Sequence, residues 1–88
     1  MSGTLYGLCL SYFKNGEYEE SLKVGGRYLA EYYNGTFYCD ILYITAICEE
    51  ELGNNFEASR KYRIIIQECP ETIYSENAKK RLEKISLE

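Results

Sequence analysis

Histidine and tryptophan are absent from this sequence, and proline and methionine occur once each. Without histidine, neither a histidine-based triad nor a histidine-ligated metal centre can be built. Cys9, Cys39, Cys48 and Cys69 form no C-x-x-C pair and fit no usual zinc spacing, so no metal site is expected. They read as small buried hydrophobes on helices. A disulfide such as Cys39 to Cys69 stays open, because nothing in the sequence fixes the redox compartment. Neither a phosphate-binding glycine loop nor a nucleophile-base pair occurs, so no catalysis and no cofactor is expected. Long apolar runs are also lacking: the longest, "ILYITAIC", is far too short to cross a bilayer, and direct membrane insertion is not expected. Neither a secretory leader nor a lipobox is legible, which leaves a cytosolic chain or the mature domain of a longer exported one.

What is present is a chain of 88 residues, 45% hydrophobic and 27% charged, enough for one small domain over residues 1–88. Ten tyrosines dominate the aromatic residues and bring large area with a polar tip, suited to helix interfaces and half-exposed grooves. The net charge of −4 is unevenly spread: residues 1–59 carry 3 basic and 9 acidic side chains, residues 60–88 carry 7 and 5. The acidic front repels a phosphate backbone, so nucleic acid is not an expected partner.

Apolar spacings of three and four predict five helices. "LYGLCLSYF" places Leu5, Leu8, Cys9 and Tyr12 on one face of a first helix over residues 3–14, stopped at Asn15-Gly16. "EYEESLKVGGRYLAEYY" opens with acidic residues that suit the helix dipole and ends at Asn34-Gly35. Thr36 is the expected N-cap of a third helix through "FYCDILYITAICEEEL", closed by Gly53. "NNFEASRKYRIIIQEC" forms a fourth up to Pro70, and Thr72 or Ser75 caps a fifth through "ENAKKRLEKI". The β-branched runs "YRIII" and "ILYIT" lie inside helical-period windows, so helix is preferred to strand there. Asn34-Gly35-Thr36 matches an N-glycosylation pattern, but a turn followed by an N-cap accounts for it.

A shift of 37 overlays the chain on itself, pairing Leu5 with Leu42, Tyr6 with Tyr43, Cys9 with Ala46, Leu10 with Ile47, Gly16 with Gly53 and Ser21 with Ala58. A helix-turn-helix unit repeating at this period is the mark of a solenoid. Leu5-x2-Leu8-Cys9-x2-Tyr12, then Leu42, Ala46, Gly53, Ala58-x3-Tyr62 and Pro70, resemble the tetratricopeptide repeat (TPR) pattern. Pro70 then ends the fourth helix, since it lacks a backbone donor and disfavours α geometry at Cys69. Pro70, Thr72, Tyr74 and Ala78 are similar to junctions of the bacterial envelope branch of that family, and "NGTFYCDIL" echoes the join 36 residues earlier.

The resemblance implies an all-α superhelix of two helical hairpins, about residues 2–35 and 36–70, plus a capping helix over about 72–86. It implies a protein-protein interaction module whose concave wall is Gly3, Tyr6, Leu10 and Phe13, then Asp40, Tyr43, Ile47 and Glu50, taking an apolar or weakly basic peptide or helix of a partner protein. The alternative is self-association, as a homo-oligomer or as a stacking fragment of a longer protein. The envelope branch implies a periplasmic location; otherwise the cytoplasm is expected. A carboxylate clamp is not, because Tyr6, Leu10, Tyr43 and Ile47 stand where lysine and asparagine would be needed. Gly25 replaces an expected aromatic beside Gly26, and two helical glycines cost roughly 2 kcal/mol. Close approach of helices one and two, with tyrosines filling the space, is the expected compensation; a kink is the alternative. Glu49, Glu50 and Glu51 read as a solvated face pairing with Lys14, Arg60, Lys61 or Arg63, or else as a docking patch for a basic partner.

Overall fold

The computed structural model describes residues 2–87. Five helices follow one another: α1 (Ser2–Lys14), α2 (Tyr18–Glu31), α3 (Tyr38–Glu51), α4 (Asn55–Glu68) and α5 (Ile73–Leu87). No strand occurs among the described residues; "ILYIT" lies in α3 and "YRIII" in α4. Successive helices pack on one another, and α1, α3 and α5 also touch in sequence. These three form one layer of an all-helical stack.

Core formation centres on α3, which buries residues on both flanks. Ile41, Ile44 and Cys48 join Leu5, Cys9 and Tyr28 in one cluster. Tyr38, Leu42 and Ala46 join Ala58, Tyr62, Ile65, Cys69 and Ala78 in a second. At roughly 1.5–3 kcal/mol for each large aliphatic side chain removed from water, these clusters hold the helices together; isolated helices of this length are marginal.

The backbone repeats with the period of the sequence. Gly16 (φ 77°) and Gly53 (φ 85°) close α1 and α3 in the left-handed region, and Asn34 (φ 58°) and Glu71 (φ 64°) do the same after α2 and α4. The residues before α2 and α4, Glu17 and Asn54, share one conformation (φ −88°, ψ 71° and φ −87°, ψ 65°). Each pair is separated by 37, so the junction echo expected at 36 runs in the common register.

Not every expected terminus holds. Thr36 is exposed and does not cap α3; the N-cap is Phe37, whose backbone N–H donates to the Tyr28 hydroxyl at 2.7 Å. A buried phenol from α2 thus takes the role assigned to a local hydroxyl. Gly35 permits it, since a Cβ there would lie 2.9 Å from that same Tyr28 oxygen. Thr72 does cap α5, accepting from the Ser75 N–H at 3.2 Å while donating to the Cys69 carbonyl at 2.7 Å.

Cysteines divide into two pairs. Cys39 and Cys69 form a disulfide with Cα atoms 6.2 Å apart, tying the start of α3 to the end of α4. Closing a loop of 30 residues removes about 3.5 kcal/mol worth of unfolded-chain entropy in the chain-entropy model. Cys9 and Cys48 are free and buried. Cys9 joins α1 to α2 through Ser21, whose hydroxyl donates to the Cys9 carbonyl at 2.8 Å while the thiol lies 3.4 Å from the Ser21 carbonyl oxygen. One period later, the equivalent contact is between two buried alanines, Ala46 and Ala58.

Gly25 is explained by α3 rather than by tyrosines. A Cβ there would overlap Thr45 Cγ2 and stand 3.3 Å from Cys9 Sγ and 3.5 Å from Ile41 Cγ2. The α2 helix runs through it unbroken. In the second unit the sizes are exchanged: Tyr62 takes the place of Gly25, and Ala78 that of Ile41. Large against small is kept in both, as close packing requires. Thr45 cannot swing aside cheaply, because its hydroxyl donates to the Ile41 and Leu42 carbonyls at 2.8 and 3.0 Å. Gly26 faces open space. Gly26→Ala is therefore expected to stabilise the fold by about 1 kcal/mol. Gly25→Ala is expected to destabilise it by about 1 kcal/mol, the overpacking outweighing the helix propensity gained. Urea unfolding of both variants checks this, and equal stabilisation would contradict the close approach of α2 and α3.

Candidate functional site

The residues expected to line a groove lie on α1 and α3, whose sequences set the register. Phe37 at the N-cap of α3, then Asp40, Tyr43 and Ile47 on the helix, follow at spacings of three and four and form one stripe. From α1, the Tyr6 ring stacks on Phe37 with centroids 4.2 Å apart and planes 3° from parallel. From α5, the Tyr74 ring meets Tyr43 at 5.3 Å. These are the same contact one unit apart, since 37 separates Tyr6 from Tyr43 and Phe37 from Tyr74. Tyr43 also meets Tyr62 at 6.5 Å.

Tyr6, Asp40 and Tyr43 are half-buried in this row, and Ile47 follows on α3. Leu10 and Phe13 are half-buried too and pack against the first core cluster; Phe13 meets Tyr18 at 6.1 Å. Gly3 is exposed at the start of α1, with nothing close to its Cβ position. The structure thus gathers Tyr6, Asp40 and Tyr43, and adds Phe37 and Tyr74, which had not been expected in the groove. A signal for both existed in the self-overlay, where two aromatics occupy one repeat position.

Glu50 is not open to a partner. Its carboxylate accepts from the Tyr62 hydroxyl at 2.8 Å and from the Arg81 guanidinium at 2.9 Å. Glu49 is likewise occupied, accepting from Lys61 at 3.0 Å and Asn54 at 3.1 Å. Among the three glutamates only Glu51 is exposed; Glu49 and Glu50 turn inward to their partners. Lys61 was one expected partner; Arg60 instead bonds Glu57 at 3.2 Å, and Arg81 reaches Glu50 from α5. Two carboxylates at the C-terminal end of α3 oppose its dipole, and these cations offset them.

The titratable groups are set by burial. Burial pushes the Cys48 thiol up to about 11, a rise that the Ser21 hydroxyl partly opposes. Cys9 shifts in the same direction for the same reasons. Both thiols stay protonated near neutrality and are poor nucleophiles. Burial first, then the bonded carboxylate, raises the Tyr62 phenol beside Glu50 and the Tyr38 phenol, which donates to Glu68 at 2.7 Å. The Tyr74 phenol is held up at about 12, first by the facing Asp40 carboxylate and then by burial.

Elsewhere, a hollow of about 340 Å³ opens at the turn before α2, lined by Gly16, Glu17, Tyr18, Glu19, Glu20 and Leu52. It lies apart from the aromatic row. Among the described residues no group of three or more acidic or cysteine side chains is placed to hold a metal ion, and no helix is long and apolar enough to cross a membrane. Compared with protein-family models, with curated proteins and with solved structures, the chain matches none.

The internal roles of the glutamates have a measurable outcome. Glu50→Gln is expected to cost about 2 kcal/mol of stability, discounted for the partial exposure of Arg81, because a bonded charge is lost from a two-donor site. Glu51→Gln is expected to change stability by less than about 0.5 kcal/mol. Urea denaturation distinguishes them, and equal small effects would mean that the Glu50 bonds do not hold in solution.

Proposed function

We propose that this chain is a non-catalytic protein-interaction module, a short TPR-type helical stack whose row of half-buried residues on α1 and α3 takes a peptide or helix of a partner protein. The observation that carries this reading is the recurring ring contact, Tyr6 on Phe37 and Tyr43 against Tyr74, on one side of the α1, α3 and α5 layer. Tyrosine offers large contact area with little side-chain entropy to lose, and here each ring is already held by a neighbour. The surface consists of Tyr6, Leu10, Phe13, Asp40, Tyr43 and Ile47; Glu50 supports it from within. The unit of 37 residues is longer than the roughly 34 of the tetratricopeptide pattern. Protonated, buried thiols and internally paired glutamates favour binding over catalysis, and the acidic front half favours a protein over a nucleic acid.

The Cys39–Cys69 disulfide favours an oxidising compartment, as the cell-envelope junction pattern expects. A second reading, self-association, is favoured by the outer face of α1. Thr4, Gly7, Leu8 and Ser11 are exposed there, and Lys14 is the one charged residue of the helix. The exposed side of α5, by contrast, carries Glu76, Lys79, Lys80, Glu83 and Lys84, the polar outer surface of a terminal cap. A second copy fits the uncharged end.

Two variants separate these readings. Tyr6→Ala combined with Tyr43→Ala, with helix content verified by circular dichroism, is expected to lose the proteins that the wild-type chain retains from its source cells. Unaltered capture would move the binding surface elsewhere. Leu8→Asp is expected to leave capture intact but to abolish a concentration-dependent dimer seen by light scattering; a wild-type monomer at high concentration removes the second reading.

A further inference from the structure

Asp40 stands apart from the other carboxylates of the aromatic face. Among the described residues, no ammonium or guanidinium lies within ion-pair distance of it, whereas Glu49 and Glu50 on the same helix each hold a cation at 3.0 and 2.9 Å. It is half-buried and sits in the first turn of α3, at the positive end of the helix dipole. Phe37 precedes it by one turn and Tyr43 follows by one turn. Tyr6 covers Phe37, and Tyr74 covers Tyr43 while facing the Asp40 carboxylate. The ring pairs Tyr6–Phe37 and Tyr43–Tyr74 thus flank Asp40 along this face, one turn to either side.

Negative ring faces beside a carboxylate attract a cation through the ring quadrupole and through direct ion pairing. The chain itself supplies an example on the same helix. About 15 Å further along α3, at ten residues' rise, the Arg81 guanidinium binds the Glu50 carboxylate, which also accepts from the Tyr62 hydroxyl. The Asp40 position has the same chemistry with no cation of its own.

We propose that the aromatic face around Asp40 binds one cationic side chain, arginine or lysine, of a partner peptide, with Asp40 as its counter-ion and Tyr6, Phe37, Tyr43 and Tyr74 packing on its stem and charge. This rests on the reading of the aromatic face as a peptide-binding surface and gives that surface its selectivity. The alkyl stem of either residue is buried against rings while its head reaches the carboxylate. Nearby Leu10 and Ile47 suit apolar residues that flank the cation.

The test uses the full chain with its disulfide formed and a random dodecapeptide library displayed on phage. Selected peptides are expected to share one arginine or lysine at a fixed position. A synthetic peptide of the leading sequence is expected to bind Asp40→Asn about tenfold more weakly or worse, with Asp40→Glu intermediate. Replacing the peptide's arginine by neutral citrulline, or its lysine by acetyl-lysine, is expected to weaken binding to the unmodified protein as much, a comparison no folding defect can affect. Selected peptides without a shared cation, or peptides bound equally by Asp40→Asn and in their neutralised form, overturn the proposal. Loss of that binding in the Tyr6→Ala, Tyr43→Ala variant would still leave the peptide-binding reading standing. Failure of the library to yield any peptide that binds the face overturns both.

Discussion

The structure depends on α3 being buried on two sides at once. Ile41, Ile44 and Cys48 face α1 and α2, while Tyr38, Leu42 and Ala46 face α4 and α5. Helices of this length gain little from their own hydrogen bonds, so their order follows from packing. With α3 as a shared wall, two helical pairs become one body, and its remaining stripe is held where α1 and α5 can flank it. That stripe is the one carrying Phe37, Asp40, Tyr43 and Ile47.

Repetition explains why the face has its form. Turns, left-handed residues and ring contacts recur at one period, but the filling differs: a thiol-hydroxyl clip in the first unit where the second has two alanines, and glycine against isoleucine where the second has tyrosine against alanine. The exchange of sizes keeps the helices at close-packed distance in both units. It also lets Tyr62 reach Glu50, which a glycine could not do, so the acid-phenol-guanidinium group exists in the second unit alone.

Helix positions were legible because apolar spacing and turn glycines are local signals. Leu5, Cys9, Leu42, Ala46, Ala58 and Tyr62, which carry the repeat pattern, are all buried, whereas Leu8, placed on one face with Leu5 and Cys9, is exposed. The Cys39–Cys69 pair, left open by the sequence, is closed. Interactions between distant residues were not legible. Thr36 has the chemistry of a cap, but Tyr28 reaches the end of α3 from a different helix. Glu49 and Glu50 look like a surface run until Lys61 and Arg81 are brought to them from 12 and 31 residues away. Of the expected groove, Tyr6, Asp40 and Tyr43 come together, while Gly3 stays outside the row and Glu50 serves the interior.

The covalent link has an uneven effect on cooperativity. It joins residues at the two ends of the second unit, next to Tyr38 and its bond to Glu68, while α1 and α2 are held by packing, the Ser21 clip and the Tyr28 bond to the Phe37 N–H. Local opening then has a preferred direction: amide exchange begins at the amino-terminal hairpin, and α3 and α4 persist as the slow-exchanging remnant. A partner lying across Tyr6 and Tyr43 would bridge the fast and slow parts, so occupancy would be felt most strongly as protection of the helices it scarcely touches.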